Sequence, residues 1–176
     1  MVAGDSVARS GEQVVELQRF SPTRANDRPV SGDRHGAFSR SVAYEGWKRS
    51  LFAIEWFDSR TERTVANAVD DDPVVTCWVR LHVGEMPILW NSAGQEYNPD
   101  FIVIDADGAH WVVEVKMDKE MDAPTVIGKR EAARRWANYV TADEKVGVRW
   151  RYLLASETDV ETAKGSWSAL RALADS

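Results

Sequence analysis

Two carboxylates and an amine stand in this sequence where a hydrolytic metal site would need them. The run from His110 to Lys116 alternates, with Trp111, Val113 and Val115 on one face and Val112, Glu114 and Lys116 on the other. Both faces begin apolar, so the strand is buried on both sides, yet it ends in a carboxylate and an amine on the same face. Unpaired buried charge is costly, and a chain that keeps it gives up stability for a task. Asp100 precedes the β-rich run Phe101 to Asp105 and shares a face with Ile102 and Ile104, and Ala106-Asp107-Gly108 joins the two runs as a hairpin. Antiparallel pairing then lays the Asp100 end beside Glu114 and Lys116. Carboxylates on neighbouring strands are hard oxygen ligands for Mg²⁺ or Mn²⁺, ions that keep several waters and leave room for a phosphate. Such an ion lowers the pKa of a water and offsets charge at phosphorus. Lys116 orients or deprotonates that water, or stabilises the developing charge. The set Asp100, Glu114 and Lys116 reads as a phosphodiester-hydrolysis site.

The elements that must hold this set follow from periodicity. From Val42 to Phe57, Tyr44, Trp47, Leu51, Ile54 and Phe57 recur at three- and four-residue steps, which predicts an amphipathic helix. Ser59-Arg60-Thr61-Glu62 has the capping-box form, with Glu62 reaching back to Ser59. A second helix therefore starts there, carries Val65, Ala68 and Val69 inward, and stops at Asp70-Asp71-Asp72-Pro73. Val74 to His82 alternates as a half-buried strand, with Met86 to Trp90 a shorter one. Thr125 to Val140 returns to helical spacing, Val148 to Ala155 is another strand, and one or two helices close the chain from Ser156. A strand, a crossover helix and a further strand imply a parallel pair. The expected fold class is α/β, a sandwich around a central mixed sheet of four to five strands, with an α-β-β-β-α-β core.

Composition sets the outer bounds. At 176 residues, with 44% hydrophobic and 28% charged, the chain has the size and balance of one globular domain. Residues 1–40 show no period and read as a flexible or loosely packed lead-in, with Val14-Val15-Glu16-Leu17 a short edge strand at most, and 41–176 as the single folded domain. No apolar run reaches membrane-spanning length and no signal-peptide pattern opens the chain, so a cytoplasmic protein without membrane contact is expected. Cys77 alone excludes an internal disulfide, and His35, His82 and His110 lack zinc-ligand spacing. Any metal must be held by carboxylates. The net charge of -6 argues against coating nucleic acid over the whole surface but allows a local basic groove. All eight tryptophans lie between Trp47 and Trp167, which marks the core.

Asn98-Pro99-Asp100, thirteen intervening residues and Glu114-Val115-Lys116 resemble the motif of the PD-(D/E)XK nuclease superfamily. Tyr97 to Val103, Gly108, Val113 to Lys116 and the basic run Lys129-Arg130-Glu131-Ala132-Ala133-Arg134-Arg135-Trp136 are similar to the C-terminal endonuclease domain of type III restriction subunits and related helicase-nucleases. The resemblance covers about residues 44 to 155. It implies a restriction-endonuclease-like fold and a metal held by Asp100, Glu114 and the backbone carbonyl of Val115. No helicase motifs occur, so a motor or targeting subunit would be another chain or a segment cut away.

Around this core the reading adds further candidates. Glu62 is either a capping residue or a fourth group linked to the metal, and Glu55 reads as solvated or capping. Arg130 and Arg134 share a helical face, opposite to Ala133 and Trp136, and with Lys129 and Lys119 they would contact the phosphate backbone. The expected activity is a Mg²⁺- or Mn²⁺-dependent endonuclease acting on DNA in restriction or anti-phage defence, with a homodimer or a helicase partner supplying the targeting. The alternatives are a catalytically silent nucleic-acid-binding or assembly module, and a nuclease acting on RNA.

Overall fold

A computed structural model describes residues 22–174. In chain order these form β1 (Val30–Ser31), β2 (Ala43–Tyr44), α1 (Arg60–Asp71), β3 (Val75–Arg80), β4 (Ile88–Leu89), β5 (Glu96–Tyr97), β6 (Phe101–Asp105), β7 (His110–Lys116), a 3₁₀ turn (Asp118–Glu120), α2 (Pro124–Ala142), β8 (Trp150–Ser156), α3 (Glu157–Thr162) and α4 (Trp167–Ala174). The fold is mixed α/β. Its central sheet has four strands in the order β3-β6-β7-β8, antiparallel between β3 and β6 and between β6 and β7, and parallel between β7 and β8. The crossover from β7 to β8 is α2, as the strand, helix, strand pattern requires. Among the described residues no helix is long and apolar enough to cross a membrane.

Each face of the sheet buries one helical layer. Trp111, Val113 and Val115 of β7 pack with Val65 and Val69 of α1, Val160 of α3, and Trp167 and Leu170 of α4. Val112 of β7 and Ile102 of β6 pack with Tyr152 and Leu154 of β8 under Val126 and Ala133 of α2. Period-2 alternation along β7 feeds both layers at once, which is why its two faces both read as apolar. In β3 a bulge between Val75 and Cys77 shifts the register by one residue. Val75 thereby joins Trp78 and Arg80 on the α1 side, against the simple alternation.

The strongest departure from the sequence reading is Val42 to Phe57, which forms no helix. Ala43–Tyr44 is a strand parallel to β1, Tyr44 bridges Glu55, and Ser50 bridges Trp78. Leu51 N–H donates to the Trp78 carbonyl (2.8 Å) and Trp78 N–H to the Arg49 carbonyl (3.0 Å), so the segment covers the outer edge of β3. Tyr44 and Phe57 are core residues, whereas Leu51 is 45% exposed. Glu55, read as solvated, is fully buried, accepting from Arg24 and paired with His82. Within residues 22–40, part of the expected lead-in, Val30 and Ser31 pair with β2, and Arg34 is 6% exposed and bonded to Asn67 and Asp71. The Val14 to Leu17 stretch lies outside the described residues.

Strands β3, β7 and β8 run in one direction, so their C-terminal ends meet at one end of the sheet. Helix α2 starts after β7, and α3 starts where β8 stops. The N-terminus of α1 arrives beside Arg80, at the end of β3. Three helix N-termini, each carrying partial positive charge, thus face this end.

Candidate active site

Asp100, Glu114 and Lys116 come together at that end of the sheet. Pairing of Phe101 with Val113 sets Asp100 across from Glu114, and Asp100 N–H donates to the Val113 carbonyl (3.0 Å). The Asp100 carboxylate accepts from the Val115 N–H at 2.8 Å. Lys116 Nζ lies 2.7 Å from Glu114 Oε1 and donates to the Val115 carbonyl at 3.2 Å. The second oxygen, Glu114 Oε2, is shielded from solvent and has no hydrogen-bond partner among the described residues. The whole Glu114 residue is only 3% exposed. A buried carboxylate oxygen without a donor is an uncompensated cost unless a cation or a proton meets it.

Burial, then repulsion from Glu114, raises the Asp100 carboxyl above its ordinary value, although Arg80, Lys116 and the Val115 N–H pull it down. Burial opposes charge on Lys116 too, but Glu114 and Asp100 override it and hold the ammonium above the usual lysine value. Tyr97 and Tyr152, buried beside the pair, are raised by burial first and then by the Glu114 charge. Lys116 is therefore an ammonium in this state, suited to stabilising negative charge and not to removing a proton.

Glu62 is brought close by a residue that the sequence reading passed over. Arg80 of β3, buried to 4%, donates from Nη2 to Glu62 Oε2 (2.8 Å) and from Nη1 to the carbonyls of Leu81 (2.6 Å) and Asp100 (3.0 Å). Its Nη1 lies 3.8 Å from Asp100 Oδ1. The available signal was Trp78: a tryptophan two residues earlier marks the inner face, so Arg80 must be a buried cation. Ser59 Oγ does cap α1 by accepting from Glu62 N–H (3.1 Å), but the Glu62 carboxylate accepts from Asp58 N–H (3.1 Å) and not from Ser59. Burial raises the Glu62 carboxyl, with Arg80 opposing and Asp100 reinforcing the rise.

A cleft of about 290 Å³ opens here, lined by Val115, Lys116, Glu62, Ser59, Arg40 and Glu157 among others. Among the described residues no three His, Cys, Asp or Glu side chains converge as a closed metal cage. Two carboxylates and one carbonyl remain, which suits an ion that retains water, and the orphaned Glu114 Oε2 supplies an unused ligand atom. The residues present therefore fit Mg²⁺ or Mn²⁺ held by Asp100, Glu114 and the Val115 carbonyl.

The expected backbone contacts divide. Lys119 is exposed in the 3₁₀ turn, beside Glu120 at the cleft. Lys129 Nζ sits over the rings of Trp90 (5.9 Å) and Tyr97 (5.4 Å), which restrains it. Arg134 is exposed at a second cleft with Trp150 and Arg151, near the start of β8. Arg130, one turn before Arg134, is only half exposed: it borders the buried stripe of Val126, Ala133 and Ala137, and its Nε is shielded, with no partner among the described residues. Ala133 and Trp136 pack inward as expected, and Arg135 joins Arg134 outside. No family model, no curated protein and no solved structure matches this chain.

Proposed function

We propose that this chain is a divalent-metal-dependent endonuclease of restriction-endonuclease-like fold, hydrolysing DNA phosphodiester bonds in restriction or anti-phage defence. The observation that carries the reading is the Asp100–Glu114 pair, Glu114 buried and Asp100 partly so, with one carboxylate oxygen that has no partner among the described residues and Lys116 beside it at the mouth of a cleft. A bound Mg²⁺ or Mn²⁺ would activate water and offset charge on the phosphate. Asp100 and Glu114 hold their carboxylates at fixed positions on paired strands, which limits the reorganisation required. Lys116 presents its ammonium to the charge that develops on the phosphate oxygens. Glu62, Asp58, Glu120 and Glu157 make the cleft acidic, so a polyanion gains little there without a cation. Arg134 and Arg135 supply backbone contact away from the cleft, and a partner subunit or a second copy would supply targeting.

One observation favours a silent nucleic-acid-binding or assembly module instead: Lys116 Nζ already bridges Glu114 Oε1 and the Val115 carbonyl, two of the three proposed ligands, so the cluster is partly neutralised. Plasmid cleavage decides. Nicking or linearisation with Mg²⁺ or Mn²⁺, silence in EDTA, and loss of at least about a hundredfold in rate for Asp100→Ala and Glu114→Ala are expected. Full-rate cutting by both variants would overturn the site, and no cutting by the parent chain on DNA or RNA would favour the silent module.

A further inference from the structure

We propose that Arg80 is a positioning residue that withholds Glu62 from the metal, so that Asp100, Glu114 and the Val115 carbonyl alone form the ion's protein ligands. The proposal rests on the metal-dependent reading and adds to it a residue and a ligand count. Glu62 Oε2 takes two donors at once, Arg80 Nη2 at 2.8 Å and the Asp58 N–H at 3.1 Å. The other fork of the same guanidinium is anchored on main-chain oxygens, those of Leu81 and of Asp100 itself. The side chains of Arg80 and Glu62 are 5% and 12% exposed, so water screens this pair little. A planar, weakly hydrated guanidinium can bind two carbonyls with one nitrogen and a carboxylate with the other, whereas an ammonium on the same stem grips fewer points.

Two consequences follow for the ion. Four carboxylates, Asp58, Glu62, Asp100 and Glu114, stand against two cations, Arg80 and Lys116, with Arg80 3.4 Å from Asp58 Oδ2 and 3.8 Å from Asp100 Oδ1. Its charge therefore lowers the attraction of the site for a divalent cation. It also keeps Glu62 at the rim as its own counterion. An ion held by two carboxylates retains more exchangeable positions for water and phosphate than one held by three. Arg80 would thus lower metal affinity and keep the ion open to substrate.

The test is Mn²⁺ binding followed by electron paramagnetic resonance on the full chain, with circular dichroism to establish that each variant is folded. Glu62→Gln should weaken Mn²⁺ binding by no more than about threefold, the through-space effect of one lost negative charge, and far less than Asp100→Asn does, because Glu62 is not a ligand. Arg80→Gln should tighten Mn²⁺ binding by about tenfold, by freeing Glu62 and removing a nearby positive charge. Adding Glu62→Gln to Arg80→Gln should cancel most of that gain, a coupling that a merely structural arginine would not produce. If Arg80→Gln does not fold, Glu62→Gln alone still decides: a loss of affinity comparable to that of Asp100→Asn makes Glu62 a ligand and overturns the proposal. Unchanged affinity in folded Arg80→Gln overturns it equally, while the Asp100-dependent metal site survives. Absence of any Asp100-dependent Mn²⁺ binding removes the metal reading, and this proposal with it.

Discussion

Asp70 and Asp105 are buried as deeply as Glu114, but their surroundings answer every demand that burial creates. Asp70, fully buried, accepts from the N–H groups of Lys48 and Arg49 and from Trp78 Nε1, with Arg34 at 3.2 Å. Asp105, 4% exposed, accepts from Trp111 Nε1 (2.8 Å) and Trp167 Nε1 (2.7 Å) and is paired with Arg171. The first ties the edge-covering segment to α1 and β3. The second ties α4 to the β6–β7 hairpin. At the other end of the sheet, Asp100 and Glu114 face each other, the Asp100 carboxyl is raised, and Glu114 Oε2 has nothing to accept from. A satisfied carboxylate fixes a fold, and an unsatisfied one is open to a ligand.

If that contrast is real, the largest effect should come from the satisfied group. Asp105→Ala strands Arg171 and two indole N–H groups and should cost about 3–5 kcal/mol in urea unfolding. A loss under about 1 kcal/mol would mean that the lock contributes little and that the contrast fails.

Asp100→Asn should do the reverse and stabilise the metal-free chain at neutral pH, read as a higher Tm than the parent's. Because the folded carboxyl titrates above its ordinary value, the unfolded chain loses that proton first as pH rises. Stability attributable to Asp100 therefore falls from pH 3.8 upward, and the advantage of the asparagine should vanish as pH is lowered to about that point. Asp71 supplies the opposite sign. Burial raises it, but Lys48 and Arg34 outweigh burial and hold it below 3.8, so its contribution is present above 3.8 and is lost as pH falls through its lowered value. Thermal unfolding of Asp100→Asn and Asp71→Asn across this range should give curves of opposite slope. Parallel curves would erase the distinction.

The smallest effect belongs to the surface. Replacing Arg134 and Arg135 with alanine should leave stability within about 0.5 kcal/mol and make the slope of log K against log salt for DNA shallower by about one to two units. An unchanged slope would make both arginines part of a solvated face only.

Much of the candidate site could be read along the chain because it depends on neighbours in sequence. Glu114 and Lys116 share a face through the two-residue period of one strand, and Asp100 reaches them through one tight hairpin at Gly108, whose φ of 80° a glycine adopts without strain. The cap at Ser59 is equally local. Arg80, Glu62 and Glu55 were not legible in this way. Their charged partners lie 18 to 31 residues distant, and nothing in a window of either segment reports the other.

Alternation, capping and turn chemistry thus determined the order of the longer elements from α1 onward, though not the short strand β5 or the 3₁₀ turn, together with the two faces of β7 and the convergence of the acidic pair with Lys116. Tertiary structure alone decided the rest. Between Val42 and Phe57, a chain laid over the β3 edge packs Tyr44, Trp47 and Phe57 into the core and leaves Leu51 exposed, so the three- and four-residue spacing there does not mark one helix face. On α2, each residue turns the face by about 100°, so a small error of phase moves Arg130 from the open face to the half-buried edge of the stripe. The small residues Ala132, Ala133 and Ala137 let the helix settle against the sheet on that stripe. Which donors reach a buried carboxylate is fixed only when distant segments pack, and that packing separates Asp105, held by three donors, from Glu114, which keeps one oxygen free.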